Sequence, residues 1–281
     1  MEQTVPLSNL ARFARVMGRP ESAIDLAEAA LLIAEDAYPG LDIEAYLLQL
    51  DELAAPVVER IGPDSSLLEI VEALNGHLFG ELGFRGDAQD YYDPRNSYLN
   101  EVLDRKLGIP ITLSVVYMEV ARRVALTVVG IGLPGHFIVE ARQGHSSLLL
   151  DPFDGGQILT LEDCERLVQH VYGDSLEFSE DLLAPVRKRQ IIMRMLNNLK
   201  RNYLTADDPV RAWPVVEKEV FLDPENAVDR RDRGLLAHRL NRFSVARGDL
   251  RFYLERRPDA PDRVAVQASL SAVEAILQMM A

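Results

Sequence analysis

GIPITLSVVYMEVARRV, residues 108–124, is the segment around which the rest of the chain must be arranged. Ile111, Leu113, Val115, Val116, Met118, Val120, Ala121 and Val124 put apolar side chains all round a helical wheel, and a helix apolar on every side is enclosed by other elements. Pro110 suits the first helical position, where its fixed φ matches the helix and its missing N–H has no partner to lose. The spacing therefore predicts a buried helix over 110–125. Downstream, LTVVGIGL (126–133), HFIVEAR (136–142) and SSLLLDPF (146–153) read as three short strands divided by Pro-Gly and Gln-Gly turn signals. An antiparallel sheet packed on a buried helix is the expected core. His136 opens the second strand and Asp151 stands near the end of the third.

Working outward, the first ninety residues are helical. Ile24, Ala27, Leu31 and Ala34 make one apolar stripe over 22–38, and Leu41, Ala45, Leu48 and Leu53 repeat it over 41–61, where Pro56 predicts a kink or break. Asp64 or Ser65 is expected to cap a third helix in which Leu67, Ile70, Val71 and Leu74 share a face. GELGFRGDAQDYYDPRNS (80–97) then reads as a long ordered loop, and SYLNEVLDRKLG (97–108) as a short helix stopped by Gly108. LEDCERLVQHVYG (161–173) is a further helix. From about residue 186 the chain is helical again and repeats: Pro224 pairs with Pro258, Ala212 with Ala246, Val216 with Leu250 and Val220 with Leu254, each at an offset of 34 residues. That helix-turn-helix period is the tetratricopeptide signature. Pro214 predicts a kink in its first unit.

A chain of 281 residues, 48% of them hydrophobic, can bury the core of one large or two ordinary domains. The division expected is 1–183 for the core with its N-terminal helices and 184–281 for the repeat region. The formal charge of −14 repels phosphate backbones and anionic lipid surfaces, so neither nucleic acid nor a membrane is expected as a partner. A single cysteine, Cys164, leaves no intramolecular disulfide and fits a reducing compartment. The opening residues carry no continuous apolar run or cleavage pattern, and the expected location is the cytoplasm.

NSYLNEVLDRKLGIPITLSVVY, LPGHFIVE and LDPFDGG, with LDIEAYLLQLDELA upstream and DRGLLAHRLNRF near the end, carry a resemblance. The chain resembles the bacterial family that joins a transglutaminase-like core to a C-terminal tetratricopeptide region, members of which bear the name of an invasion-gene regulator. The resemblance implies an α+β, mostly helical fold related to papain-like cysteine proteases. It also implies a Cys–His–Asp site, whose GxC pattern lands on Gly108, Ile109 and Pro110, whose histidine lands on His136 and whose aspartate lands on Asp151. The arginine that closes the helix in many such cores lands on Arg122. Proline thus stands where the nucleophile belongs.

In such a site the thiolate attacks, the imidazole carries the proton and the carboxylate fixes the imidazole tautomer. A helix N-terminus and a neighbouring imidazolium lower the thiol pKa, and proline supplies none of this chemistry. Among hydroxyls, Ser114 returns to within about 40° of position 110 and Thr112 is rotated by about 200°. A hydroxyl in a buried helix commonly bonds back to a carbonyl one turn earlier. Cys164 follows the aspartate, the wrong order for the triad, and reads as a small apolar filler. His136 and Asp151 either lock two neighbouring strands or line a retained pocket together with Tyr92, Asn96 and Asn100. Asn96 and Asn100, four apart, either face one cleft or serve as cap and solvated amide. His77, His145 and His170 are scattered without ligand spacing, so no metal or cofactor is expected. The favoured expectation is a non-catalytic protein-binding or regulatory scaffold whose partner is a protein or peptide. The alternative is a hydrolase or acyltransferase on amide or ester bonds, using His136 and Asp151 with Ser114 or an activated water.

Overall fold

The computed structural model describes residues 8–280; residues 1–7 of the opening segment, and Ala281, lie outside the described residues. Two compact units divide the chain, one formed by Arg19–Met195 and the other by Leu196–Ala281 with the segment that ends at Gly18. Helix α1 (Asn9–Met17) belongs to the second of these, and Ser8 caps it by accepting from Ala11 N–H at 3.3 Å.

In the Arg19–Met195 unit, α2 (Leu26–Ala34) starts at Asp25, whose carboxylate accepts from Glu28 N–H at 2.9 Å. The sequence suggests one apolar stripe, yet the helix is buried at Leu26, Ala27 and Ala29–Ala34. Ala29 and Ala30 are small enough to lie against neighbours on the far side. Helix α3 (Ile43–Arg60) runs unbroken through Pro56. The carbonyl that Pro56 deprives of a donor is that of Glu52, an exposed residue whose oxygen water can serve. Helix α4 (Leu67–Asn75) is capped one residue later than the sequence suggests: Ser66 and Glu69 close a reciprocal box, and Ser65 instead accepts from Gly62 N–H.

The 80–97 segment holds more structure than a loop. Its strand β1 (Arg85–Gly86) runs parallel to β2 (Leu107–Gly108), with Gly86 opposite Gly108, and a 3-10 turn covers Pro94–Ser97. Between them, α5 (Leu99–Arg105) ends on Lys106 in the left-handed region at φ 61°, not on Gly108. Gly108 is needed for a different reason. A Cβ there would lie 2.8 Å from Thr112 Oγ1 and 3.1 Å from Leu113 Cγ, at the start of the next helix.

That helix, α6 (Pro110–Arg123), is the buried one, with Pro110 at its first position. Each aliphatic side chain of the size of Leu113, Val116 or Val120, all buried, stabilises the unit by about 1.5–3 kcal/mol. It packs on a four-stranded antiparallel sheet in the order β3 (Thr127–Ile131), β4 (Ile138–Gln143), β5 (Ser146–Asp151), β6 (Gln157–Leu159). The last strand is only three residues long and follows Gly155 and Gly156, both at positive φ, so it leaves no periodic trace in the sequence. Register places Val139 opposite Leu150 and Asp151 opposite Gln157. Helix α7 (Leu161–Tyr172) follows behind a Thr160–Asp163 capping box.

Helix α8 (Lys188–Thr205) contains the division at Met195 and Leu196. In the C-terminal unit it continues into α9 (Pro209–Leu222), α10 (Ala227–Arg239), α11 (Phe243–Arg256) and α12 (Arg263–Met279). The residues paired by the 34-residue offset on α9 and α11, from Ala212 with Ala246 to Val220 with Leu254, are all buried. Pro214 lies inside a continuous α9. Within the same unit α1 sets Phe13 edge-on to Phe221, ring centroids 6.2 Å apart. No helix of the described residues is long and apolar enough to cross a membrane.

Candidate functional site

The antiparallel pairing of β4 and β5 brings the residue just ahead of one strand beside the end of the other. There His136 Nε2 lies 2.7 Å from Asp151 Oδ2, while Asp151 Oδ1 accepts from the Phe153 N–H at 2.9 Å. The imidazole side chain is 13% exposed and the carboxylate 5%. With the Nε2 proton given to the carboxylate, Nδ1 keeps its lone pair, and it makes no hydrogen bond among the described residues. One ring nitrogen is thus held and the other unengaged among the described residues.

Phe153 links this pair to the start of α6. A Cβ on Gly86 would fall 2.5 Å from the Phe153 ring, so the ring rests on β1, which pairs with β2 immediately before Ile109 and Pro110. Its centroid is also 6.0 Å from the His136 ring and 6.1 Å from the Tyr91 ring, edge-on to both. The sequence gives no sign of this wedge, because a single Phe in a DPFDGG turn has no periodicity to betray which side it packs.

Pro110 is buried at the helix start, and the N–H of Ile109 before it is met at 3.1 Å by Thr112 Oγ1. The Thr112 hydroxyl is committed elsewhere as well, donating to the Asn96 carbonyl at 2.7 Å. Asn96 is fully buried: its amide donates to Asp87 Oδ2 at 3.1 Å and to the Asp90 carbonyl at 2.8 Å, and its oxygen accepts from Arg105 at 3.2 Å. The Asp90 backbone N–H, then the Asn96 amide and Arg105, hold the Asp87 carboxyl below the usual carboxylate range. Asn96 and Thr112 together tie the 80–97 segment to the helix start. Asn100 is buried, and its amide oxygen has no hydrogen-bond partner among the described residues; the nearby Tyr46 hydroxyl donates to Asp104 at 2.7 Å. Ser114 is wholly buried, and its Oγ has no hydrogen-bond partner among the described residues. Tyr92 is 66% exposed and meets Tyr91 edge-on at 5.3 Å. Arg122 at the far end of α6 is half out in solvent and pairs with Glu119 at 2.8 Å.

Cys164 lies in an apolar cluster with Ile131, Leu133, Ile138, Leu159 and Val168. Burial, with Asp163 and Asp151 nearby, pushes its thiol up to about 11, the opposite of what a nucleophilic cysteine requires. Two further residues, marked by no local sequence pattern, shape the His136 turn. Arg194 of α8 donates to the carbonyls of Leu133 and His136, and its guanidinium lies over the Phe137 ring at 5.4 Å. Val171 of α7 fills the space over Gly135, where φ is +73° and a Cβ would fall 2.6 Å from Val171 Cγ1. Both come from helices far along the chain, so only the folded contacts reveal them.

A family model described as the transglutaminase-like superfamily matches residues 44–197, and a second, described as tetratricopeptide repeat, matches residues 199–271. A UPF0162 protein of Xylella fastidiosa (strain Temecula1) is 37% identical over 245 residues, covering 85% of this chain and 86% of that protein. F-box only protein 21 of Mus musculus is 29% identical over 230 residues, covering 71% of this chain and 35% of that protein. Among solved structures, a crystal structure of menin that reveals its binding site for the Mixed Lineage Leukemia protein is similar at a TM-score of 0.40 and 11% identity, covering 90% of this chain and 71% of that one. With more than half of its length matched by the first model, and a relative of such identity spanning most of both chains, this chain belongs to the transglutaminase-like superfamily and carries tetratricopeptide repeats behind that core.

Proposed function

We propose that this chain is a non-catalytic member of its family that works as a protein-binding scaffold. The observation that carries the reading is Pro110 at the first position of α6, where the family pattern calls for a cysteine, while the His136–Asp151 pair is kept. Proline has no group to attack a carbonyl, and it costs the helix little at that position. The hydroxyls nearest in sequence offer no substitute: Thr112 is bonded into the loop, and Ser114 is sealed from solvent.

The repeat helices supply a surface for a partner. In the C-terminal unit a cavity of about 360 Å³ is lined by Leu204 of α8, Asp232, Leu235, Leu236, His238 and Arg239 of α10, and Ser269 of α12. These are equivalent helices, one from each repeat, and arrays of this kind take peptides along such a face. The size suits a few side chains of an extended peptide. That the same region recurs within a longer animal protein supports a portable recognition module.

Two measurements test the reading. Purified protein offered amide and ester substrates is expected to leave them unturned; turnover that disappears in His136→Ala would establish the rival hydrolase, working through His136 and an activated water. A photo-crosslinking residue at Leu235 is expected to capture a discrete protein in cells, whereas a chain that captures none there is not a scaffold of this kind.

A further inference from the structure

Arg194 lies half-buried on α8, within the same unit as His136. Its Nη2 donates to the carbonyls of Leu133 and His136, while its Nε and Nη1 make no hydrogen bond with the described residues. No carboxylate of the described residues lies within ion-pair distance of it. Other partly buried arginines of the chain are neutralised: Arg105 by Asp87, Arg123 by Glu119 and Asp51, Arg230 and Arg233 by Asp249. Burial lowers the pKa of the Arg194 guanidinium, and the groups that oppose this are the phenols of Tyr91 and Tyr172. A half-buried cation with unengaged donors is costly unless something anionic meets it.

The surroundings say where that anion would sit. Arg194 is only partly buried, so solvent reaches its side chain. Arg194 holds the backbone carbonyl of His136, and the His136 ring meets Phe153, so the guanidinium belongs to the same neighbourhood as the imidazole. Guanidinium donors recognise carboxylate or phosphoryl oxygens through charge-assisted hydrogen bonds. The overall charge of −14 disfavours a polyanion but not a single charge presented by a peptide.

We propose that Arg194, held by the carbonyls of Leu133 and His136, is a receptor for a single oxyanion, a carboxylate or phosphoryl group carried by the bound peptide. The site deepens the scaffold reading by naming what the core recognises, and it rests on that reading only for the peptide.

The test uses the full chain, isotope-labelled, and titrates N-acetylglutamate α-N-methylamide, inorganic phosphate and the neutral N-acetylglutamine α-N-methylamide at constant ionic strength. The Arg194 Nε–H and His136 ring signals are followed. A saturable shift with the two anions and none with the neutral compound is expected, and the tighter anion names the source of the oxyanion. Arg194→Gln keeps an amide donor for the two carbonyls and is expected to weaken the response about tenfold or more. An unsaturable response, an equal response to the neutral N-acetylglutamine α-N-methylamide, or undiminished binding in Arg194→Gln overturns the proposal. Should that variant not fold, phenylglyoxal labelling of the unaltered protein decides instead: the preferred anion must protect Arg194, and labelling at an unchanged rate overturns the site. The titration involves no partner protein, so it can fail while the scaffold stands, or succeed while the scaffold fails.

Discussion

Lys200 and Glu219 meet at 2.9 Å inside the C-terminal unit, where Asp229 at 2.6 Å and Asp232 at 3.6 Å also close on the same ammonium. One cation thus faces three carboxylates, and Glu219 is completely buried. Burial pushes the Glu219 carboxyl up to about 7; Lys200 opposes this, while Asp229 and Asp232 add to it. A folded pKa above the unfolded one means that the native unit binds the extra proton. The stability from this group is therefore fully present below the ordinary carboxyl range and is lost as the pH rises through about 7. Unfolding followed from pH 5.5 to pH 8.5 is expected to show the native state losing about 1–3 kcal/mol, with much of that slope absent in Glu219→Gln. A variant with the wild-type slope would place the titrating group elsewhere.

Pro110→Cys tests the geometry at the start of α6. A thiol placed at this helix start and served by His136 is expected to titrate at least a unit below the ordinary 8.5 and to react with iodoacetamide at neutral pH, with His136→Ala reversing the gain. Cys164 is the internal control and should label slowly, given a thiol pushed up to about 11. Equal labelling rates at the two cysteines would show that the imidazole does not serve position 110.

Two neighbouring hydroxyls on α6 should respond in opposite ways. Thr112→Val removes the oxygen that meets Ile109 N–H and holds the Asn96 carbonyl, and a loss of about 1–2 kcal/mol is expected in urea unfolding. Ser114→Ala removes a buried oxygen with no partner and should be neutral or stabilising by up to about 1 kcal/mol. A costly Ser114→Ala would point to an ordered water on that hydroxyl.

Gly86→Ala drives a methyl group into the Phe153 ring. Overpacking of this kind costs about 1–3 kcal/mol, and a Phe153→Leu background should recover much of it, because the smaller side chain leaves room. Additive costs in the double variant would mean that the ring is not what Gly86 accommodates.

How far the sequence reveals this molecule depends on how local each feature is. The buried α6 is legible because eight apolar residues surround one wheel, and the repeat region because Pro224 and Pro258 recur with their flanking apolar partners. Alternation and turn signals put His136 at the start of a strand and Asp151 near the end of the next; His136 lies two residues ahead of β4 instead, and the two stand 2.7 Å apart. The pairing of Arg85–Gly86 with Leu107–Gly108 leaves no such trace, since two-residue strands have no period and their partners lie twenty-two positions away. The same holds for Asn96. Its amide is used up by Asp87, Asp90 and Arg105, a choice set by how the 80–97 segment folds back rather than by its spacing from Asn100. Arg194 lies 58 residues beyond the histidine whose carbonyl it holds, which no local pattern encodes.

Asp151 gives one oxygen to the imidazole and the other to the backbone of the aromatic ring that leans on it. Imidazole and ring therefore hang from a single carboxylate. A rotation of that carboxylate that freed the histidine would also loosen Phe153, so the two are released in concert or not at all.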